Sequence, residues 1–308
     1  MMSTISSERC LVLRLRASRR KARDAAVAEA LGLLRGLRAR RSPGGPASDS
    51  GNSVWLNVDS HDLDAAISRL KGLGYSSAVD LVTPIEEVRK PRRSTITRWR
   101  GREVALVSIW AEPDEELRAN SPDRRSFLLE CADGVTRRIE GYRGGAGRLQ
   151  HRALAVEDAR LLVNLVSTGA GGRFLDPFAG AGAIIIEARS RGFTTISVDV
   201  DPALRFGLAE LSDHHVIGNA GALPARDDSF DAIASEPPYD SSALEPVTAS
   251  IGEAARLIRR GARIAYLVDS TQAESVRKAA ESAGLTPELD TRIDRKGTEV
   301  VCLCWIRP

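Results

Sequence analysis

The sequence is poor in the features that mark membrane and secreted proteins. Aromatic residues make up 5% of its 308 residues, and the whole sequence has only four cysteines. Charge or glycine interrupts the apolar runs well before the roughly 18 residues that a membrane span needs. The amino terminus has no apolar stretch leading to a small-residue cleavage site, so we expect no secretory signal. These absences favour a cytoplasmic protein without a membrane span.

No group of side chains in the sequence indicates a metal site. Cys302 and Cys304 alternate with apolar residues in a predicted terminal strand, which indicates buried thiols. His214 and His215 are adjacent, and neighbouring residues on a strand point to opposite faces. We therefore expect no metal.

Length and charge distribution indicate two domains with different roles. A chain of 308 residues exceeds the size at which single cores usually stop growing. Residues 1–150 carry 27 Lys and Arg against 19 Asp and Glu, whereas residues 151–308 carry 17 against 22. A basic half is typical of a module that binds a polyanion, although a solvated arginine-rich helix gives the same count. We expect RNA or another nucleic acid as its partner.

The first domain, predicted over residues 1–147, is a small α+β unit of ferredoxin-like or THUMP-like type. Residues 10–16 alternate as a half-buried strand does, and residues 21–41 repeat Ala and Leu at helical spacing. Between residues 84 and 102, basic side chains flank Trp99: Arg89, Lys90, Arg92, Arg93, Arg98, Arg100 and Arg102. Such a segment either holds single-stranded nucleic acid by stacking and phosphate contacts or is a flexible basic loop.

The second domain, predicted over residues 148–308, alternates strands and helices regularly. This pattern predicts a doubly wound, Rossmann-like α/β domain with a mostly parallel sheet. Ligands of such sheets bind at the carboxyl ends of the strands. Residues that directly follow strands are therefore the candidates for chemistry.

A glycine-containing loop follows the first of these strands, from Asp176 to Gly182. Gly180 and Gly182 permit a tight turn and a close approach of the backbone to a ligand, next to a helix amino terminus. The dinucleotide fingerprint needs a third glycine where Ile185 stands, which disfavours NAD and FAD. Asp199 ends the next strand, where a carboxylate accepts the ribose hydroxyls of a nucleoside cofactor.

Two further segments are compatible with either a ligand or an ordinary turn. Asp201 precedes Pro202 as a helix cap does, so we assign the ribose to Asp199 instead. The segment around Asn219 and Ala220 follows the third strand. It either presents an amide to an adenine edge or forms a simple asparagine turn.

The most specific motif is Ser235-Glu236-Pro237-Pro238-Tyr239, at the end of a predicted strand. Two consecutive prolines fix two φ angles and remove two N–H donors, so the preceding carbonyls point outward as acceptors. A carboxylate before them and an aromatic ring after them complete the group. This combination suits a flat heterocycle that carries an exocyclic amine.

Together, Asp176-Pro-Phe-x-Gly-x-Gly, Ser197-Val-Asp199-Val-Asp201 and Glu236-Pro-Pro-Tyr resemble the class I S-adenosylmethionine-dependent methyltransferases. The resemblance covers roughly residues 150–308 and is nearest to the Trm11-like RNA guanine-N2 methylases. In that family a ferredoxin-like segment and a THUMP RNA-binding domain usually precede the methylase domain. The sequence departs from the family at Glu236, where Asp or Asn is usual.

The resemblance implies transfer of a methyl group from S-adenosyl-L-methionine to an exocyclic amine in transfer or ribosomal RNA, with guanine N2 as the expected target. It implies that Glu236, Pro237, Pro238 and Tyr239 are catalytic. The implied cofactor-binding residues are Asp176, Phe178, Ala179, Gly180, Gly182, Asp199, Val200, Asn219 and Ala220. Alternatives are an N-methyltransferase acting on DNA adenine or a small molecule, and a non-catalytic RNA-binding protein that retains the cofactor fold.

Overall fold

A computed structural model describes residues 8–43, 52–88, 96–111, 126–130, 136–140, 154–169, 171–295 and 298–308. It divides into two units, Met1–Glu112 and Pro113–Pro308. The boundary predicted at residue 147 lies outside the described residues and stays a prediction. Within the described ranges, no helix is long and apolar enough to cross a membrane.

An antiparallel sheet with helices between its strands forms the first unit. Its strands are β1 (Glu8–Leu15), β2 (Ala39–Arg41), β3 (Ser53–Asp59), β4 (Ser76–Pro84), β5 (Ile96–Trp99) and β6 (Arg102–Ala111). Its α-helices are α1 (Arg23–Leu33), which follows β1, and α2 (Leu63–Leu70), which follows β3. The strand order β2-β3-β1-β4-β6-β5 contains a ferredoxin-like βαββαβ arrangement, extended by β5 and β6.

The helix predicted over residues 21–41 is wrong in its second half. Helix α1 ends at Leu33, and Gly36 adopts a left-handed φ of 82° that no continuing helix allows. The chain then pairs through β2 with β3. The spacing of Ala and Leu persists across this turn, so it gave no sign that the helix stops.

Part of the basic segment forms a tight hairpin between β5 and β6. Arg100 and Gly101 have φ angles of 49° and 77°, as a two-residue type I′ turn requires. The half-buried Trp99 packs against an apolar cluster of β1, β3, β4 and β6, and the Arg100 guanidinium carbon lies 4.4 Å from the Trp99 ring centroid. Residues 96–102 are therefore an ordered turn. Arg89, Lys90, Arg92 and Arg93 lie outside the described residues.

The second unit contains a seven-stranded sheet and a separate hairpin, β7 (Ser126–Glu130) with β8 (Thr136–Glu140). The sheet strands are β9 (Arg173–Asp176), β10 (Thr194–Asp199), β11 (His214–Ile217), β12 (Phe230–Ser235), β13 (Ile258–Asp269), β14 (Thr286–Arg295) and β15 (Thr298–Ile306). The α-helices are α3 (Val156–Val166), α4 (Ala183–Ser190), α5 (Arg205–Leu211), α6 (Leu244–Leu257) and α7 (Ala273–Ser282).

The order of the large sheet is β11-β10-β9-β12-β13-β15-β14. The five strands from β9 to β13 are parallel, whereas β15 runs antiparallel to β13 and β14. The order reverses between β9 and β12, which makes the carboxyl ends of these strands a topological switch point. The sheet is doubly wound and mostly parallel, so the predicted Rossmann-like α/β fold is confirmed.

Gly182 at the start of α4 gives a test of this packing. Its φ is 82°, and a Cβ there would lie 2.8 Å from Leu211 Cδ1. Gly182→Ala should therefore lower the free energy of unfolding of this unit by about 1–3 kcal/mol, measured by chemical denaturation. Gly252 lies exposed in α6, and a Cβ at that position would meet no atom within 4 Å. Gly252→Ala should therefore raise the free energy of unfolding by about 0.5–1 kcal/mol. Equal effects of the two substitutions would contradict the crowding at Gly182.

Candidate active site

Three strand ends meet near the centre of the large sheet. Strand β9 ends at Asp176, β10 at Asp199 and β12 at Ser235. Because β9 pairs with both β10 and β12, these ends are neighbours in space although they are distant in sequence. The residues that follow them are those singled out by the motifs.

Asp176 is buried and joins two of these strand ends. Its Oδ1 accepts hydrogen bonds from Ser235 Oγ at 2.6 Å and from the Phe178 amide at 3.2 Å. The same amide lies 3.1 Å from Ser235 Oγ. Asp176 Oδ2 is buried and accepts no hydrogen bond from any described residue. This oxygen is an open acceptor at the switch point.

Burial raises the pKa of Asp176 to about 7. Its hydrogen bonds with Ser235 and Phe178 lower the pKa, and the nearby charges of Asp199 and Glu236 raise it further. A cationic group placed at Oδ2 would favour the ionised form. The unpartnered oxygen thus fits an ammonium group such as that of an amino-acid-derived cofactor.

Asp199 holds the glycine loop. Its Oδ2 accepts the Gly180 amide at 2.8 Å and its Oδ1 accepts the Asp201 amide at 2.9 Å. The Ala179 amide bonds to the Val198 carbonyl at 2.9 Å, and the Gly182 amide bonds to the Ala179 carbonyl at 2.8 Å. These amides are engaged within the protein instead of facing a ligand. Each Asp199 oxygen has a further lone pair, which keeps a bond to a ribose hydroxyl open.

Two exposed apolar side chains lie beside Asp199. Val200 is 74% exposed, and Ile217, whose Cα pairs with that of Asp199 in the sheet, is 46% exposed. Exposed side chains of this kind at strand ends suit a flat ring. Asp201 accepts the Ala203 amide at 2.9 Å and so caps the next helical turn.

The segment after β11 forms an ordinary turn, the simpler of the two structures considered for it. Asn219 Oδ1 accepts the Gly221 amide at 2.9 Å, which is an ordinary asparagine turn, and Ala220 is buried. A contact of either residue with adenine stays a prediction.

Glu236 belongs to a cluster of charged and hydroxyl groups. Its Oε1 accepts a short hydrogen bond from the Tyr239 hydroxyl and pairs with Arg295 Nη1 at 2.5 Å. Arg295 Nη1 also donates to the Tyr239 hydroxyl at 2.9 Å, and Arg295 Nε lies 3.0 Å from Oδ2 of the fully buried Asp158. No described residue donates to Glu236 Oε2, and the Glu236 side chain is 18% exposed.

The rest of this loop is held by protein contacts. Burial raises the pKa of Tyr239, as does the charge of Glu236, so its hydroxyl remains protonated and donates. Gln272 Nε2 donates to the Pro238 carbonyl at 3.0 Å and to the Asp240 carbonyl at 3.3 Å. The Pro238 carbonyl is therefore engaged by a side chain, whereas the outward position predicted for the carbonyls before the prolines stays a prediction.

Sequence reasoning gave no role to Ser235, Gln272, Arg295 or Asp158. Ser235 is part of the motif, and its position at a predicted strand end directly before Glu236 could have indicated a role. Arg295 and Asp158 carry no local signal, since they reach Glu236 only through long-range folding. Helix α3 supplies Asp158, and β14 supplies Arg295.

Comparisons with known proteins find one family model, which matches within the second unit, and a partial match to a curated protein. The family described as Conserved hypothetical protein 95 matches residues 160–283. The tRNA (guanine(10)-N2)-dimethyltransferase of Methanothermobacter thermautotrophicus is 38% identical over 91 residues. That match covers 28% of this chain and 27% of the relative, so the chain spans little more than a quarter of the length of this curated relative.

Solved structures of methyltransferases are also similar to this chain, at low sequence identity. Geranyl diphosphate methyltransferase in complex with SAM is 16% identical, with a TM-score of 0.43 over 52% of this chain and 87% of that chain. A TehB-like SAM-dependent methyltransferase from Corynebacterium glutamicum is 18% identical, with a TM-score of 0.41 over 49% of this chain and 87% of that chain.

The raised pKa of Asp176 predicts a pH-dependent affinity of the second unit for a ligand with an ammonium group. Below pH 7 this carboxyl is protonated in the free protein and offers no charge, so binding should weaken as the pH falls through about 7. Calorimetric titration with S-adenosylmethionine measures this affinity. The range from about pH 5.5 to about pH 8.5 extends about 1.5 units to either side of the Asp176 pKa.

Asp176→Asn serves as the comparison for that titration. It should bind more weakly at pH 8 and lose the dependence, because its amide does not titrate. A wild-type affinity that is flat across this range would contradict the assignment of Asp176 to the ligand.

Proposed function

We propose that this protein transfers a methyl group from S-adenosylmethionine to an exocyclic amine of a nucleobase in RNA, with guanine N2 in transfer RNA as the expected target. The observation that carries the proposal is Glu236 Oε2, an acceptor left open beside the switch point. The sequence match to a tRNA (guanine(10)-N2)-dimethyltransferase supports both the target and the RNA class.

The described residues fit S-adenosylmethionine as the cofactor. Asp176 Oδ2 is a buried acceptor without a partner, which suits the cofactor's ammonium group. Asp199 retains lone pairs for the ribose hydroxyls, and Val200 offers an exposed apolar side chain to the adenine ring. When bound, the cofactor supplies an activated methyl on a sulfonium, which becomes a neutral thioether as the nitrogen–carbon bond forms.

Glu236 orients the amine and balances its charge. The nitrogen of an exocyclic purine amine is a poor nucleophile because its lone pair is delocalised into the ring. It gains positive charge as it is methylated, and a carboxylate oxygen that accepts its N–H stabilises that charge. The surplus proton then leaves the nitrogen through Oε2 to water. The Tyr239 hydroxyl contacts the other oxygen, Oε1, and we propose that the ring of Tyr239 stacks on the base.

The first unit is proposed as an RNA contact. Arg98, Arg100 and Arg102 on the β5–β6 hairpin are exposed, and no described carboxylate pairs with any of them. By contrast, carboxylates engage Arg14 on β1 and both arginines on β2, in the pairs Arg14–Asp80, Arg40–Glu8 and Arg41–Asp24. Unpaired charges beside an aromatic ring are the ones available to phosphates.

The role of Glu236 predicts a specific loss of turnover. Glu236→Gln keeps the shape but loses the charge, so kcat should fall on the order of a hundredfold while cofactor binding is retained. The measurement is single-turnover transfer of labelled methyl to transfer RNA, ribosomal RNA and DNA, followed by mass spectrometry of the nucleosides.

The matched control is Glu245→Gln, a change of an exposed glutamate in the first turn of α6, which should leave transfer unchanged. Wild-type turnover by Glu236→Gln would refute the proposed role. Transfer to DNA adenine alone would favour a DNA N-methyltransferase. RNA binding without transfer would favour a non-catalytic RNA-binding protein that retains the cofactor fold.

The unpaired arginines predict an electrostatic contribution to RNA affinity. Replacing Arg98, Arg100 and Arg102 with Gln should weaken binding and reduce the magnitude of the salt slope by about 0.7 for each phosphate of a single strand that is no longer neutralised. Filter binding at several salt concentrations measures both quantities.

A triple change of Arg14, Arg40 and Arg41 to Gln removes the same charge from paired positions and should alter the slope less. If both triple variants changed the slope equally, net charge rather than the hairpin would determine binding.

A further inference from the structure

The unusual feature of the second unit is that its candidate catalytic carboxylate is anchored at one oxygen. Glu236 Oε1 receives two donors, the Tyr239 hydroxyl and Arg295 Nη1 at 2.5 Å. Glu236 Oε2 receives none from the described residues. A carboxylate held in this way has little freedom to rotate, so the position of its second oxygen is set by the protein.

Arg295 is itself fixed from the opposite side. Its Nε lies 3.0 Å from Asp158 Oδ2, and Asp158 on α3 is fully buried. Its Nη1 contacts both Glu236 and Tyr239. The planar guanidinium therefore joins α3, β14 and the loop after β12 in one arrangement. A lysine has a single nitrogen and cannot make these contacts in the same geometry.

We infer that Arg295 is a positioning residue for methyl transfer, held by Asp158, which fixes Glu236 through Oε1 and presents Oε2 as the acceptor for the substrate amine. This inference rests on the proposed function, because it assigns how Glu236 is oriented for that reaction. The likeness of the motif to its family does not supply it, since the family's usual residue at position 236 is shorter.

Charged groups from several elements surround Glu236. Arg295 from β14 is the cation, Asp158 from α3 and Asp176 at the end of β9 are anions, and Tyr239 lies on the same loop. Burial lowers the pKa of Arg295, but Glu236 and Asp158 raise it more, so the guanidinium stays charged. Removal of Arg295 would take away the one guanidinium that contacts both Glu236 and Asp158 among the described residues.

The first test compares the pH dependence of kcat for wild type and Arg295→Gln. We expect kcat at pH 7 to fall about tenfold, and the acid limb of the profile to move up by about one pH unit because the carboxylates lose their cation. Cofactor affinity, measured by calorimetry, should stay within about twofold. Adding Asp158→Asn to Arg295→Gln removes one of the two anions and should move the acid limb back.

The second test asks whether Arg295 acts through Glu236. The double variant Glu236→Gln/Arg295→Gln should be no slower than Glu236→Gln alone, because the partner of Arg295 is already missing. Arg295→Lys keeps the positive charge, so its acid limb should return towards that of wild type. Its kcat should return less, because one nitrogen cannot make the contacts of the guanidinium. This variant also serves if Arg295→Gln does not fold. Arg292→Gln, an exposed change on the same strand, is the control and should match wild type.

The outcomes separate the two proposals. An unchanged profile and kcat in both Arg295→Gln and Arg295→Lys, with Glu236→Gln slow, would overturn the role of Arg295 and leave the proposed function standing. Additive losses in the double variant would likewise overturn it, since Arg295 would then act elsewhere. Wild-type turnover by Glu236→Gln would instead refute the role of Glu236 in the proposed function.

Discussion

The hydrogen bond between Asp176 and Ser235 is the contact on which the site depends. It joins the ends of β9 and β12 at 2.6 Å, and the Phe178 amide contacts both side chains. One of these residues begins the glycine loop and the other precedes Glu236. A shift of either loop would leave a buried carboxylate without its donors, which is costly. The two halves of the site are therefore held in register by one buried acid.

The charge balance of the site follows from the same arrangement. Asp176, Asp199, Glu236 and Asp158 are carboxyls near the strand ends, and Arg295 contacts only the last two. The side of the site at Asp176 and Asp199 thus carries negative charge without a neighbouring described cation. Such a surface favours a positively charged ligand, and sulfonium and ammonium groups both meet that condition. The side at Glu236 is partly neutralised, which suits a neutral amine that becomes positive only during transfer.

How much could be predicted from sequence depended on the range of the interactions. The glycine loop, Asp199 and Glu236 each follow a strand, so strand–turn–helix patterns were enough to find them. Arg295 lies 59 residues from Glu236 on an antiparallel edge strand, and no local pattern marks it. The end of α1 was missed for a related reason: Gly36 turns the chain while the apolar spacing continues. Arg100 adopts a positive φ, and the only local sequence signal for this turn is the glycine that follows, Gly101.

Arg295 lies where a side chain of the length of Glu236 reaches it. With Asp there, the carboxylate would withdraw by one methylene and no longer reach Arg295 Nη1 unless the loop moved. That loop is fixed by Gln272, which donates to the Pro238 and Asp240 carbonyls. A longer side chain ordinarily leaves the position of its carboxylate less fixed, because it has one more rotatable bond. Here the two donors to Oε1 restrict that rotation. The departure from the family's residue is matched by an anchor on a distant strand, and this pairing weakens the interpretation of the site as a disabled one.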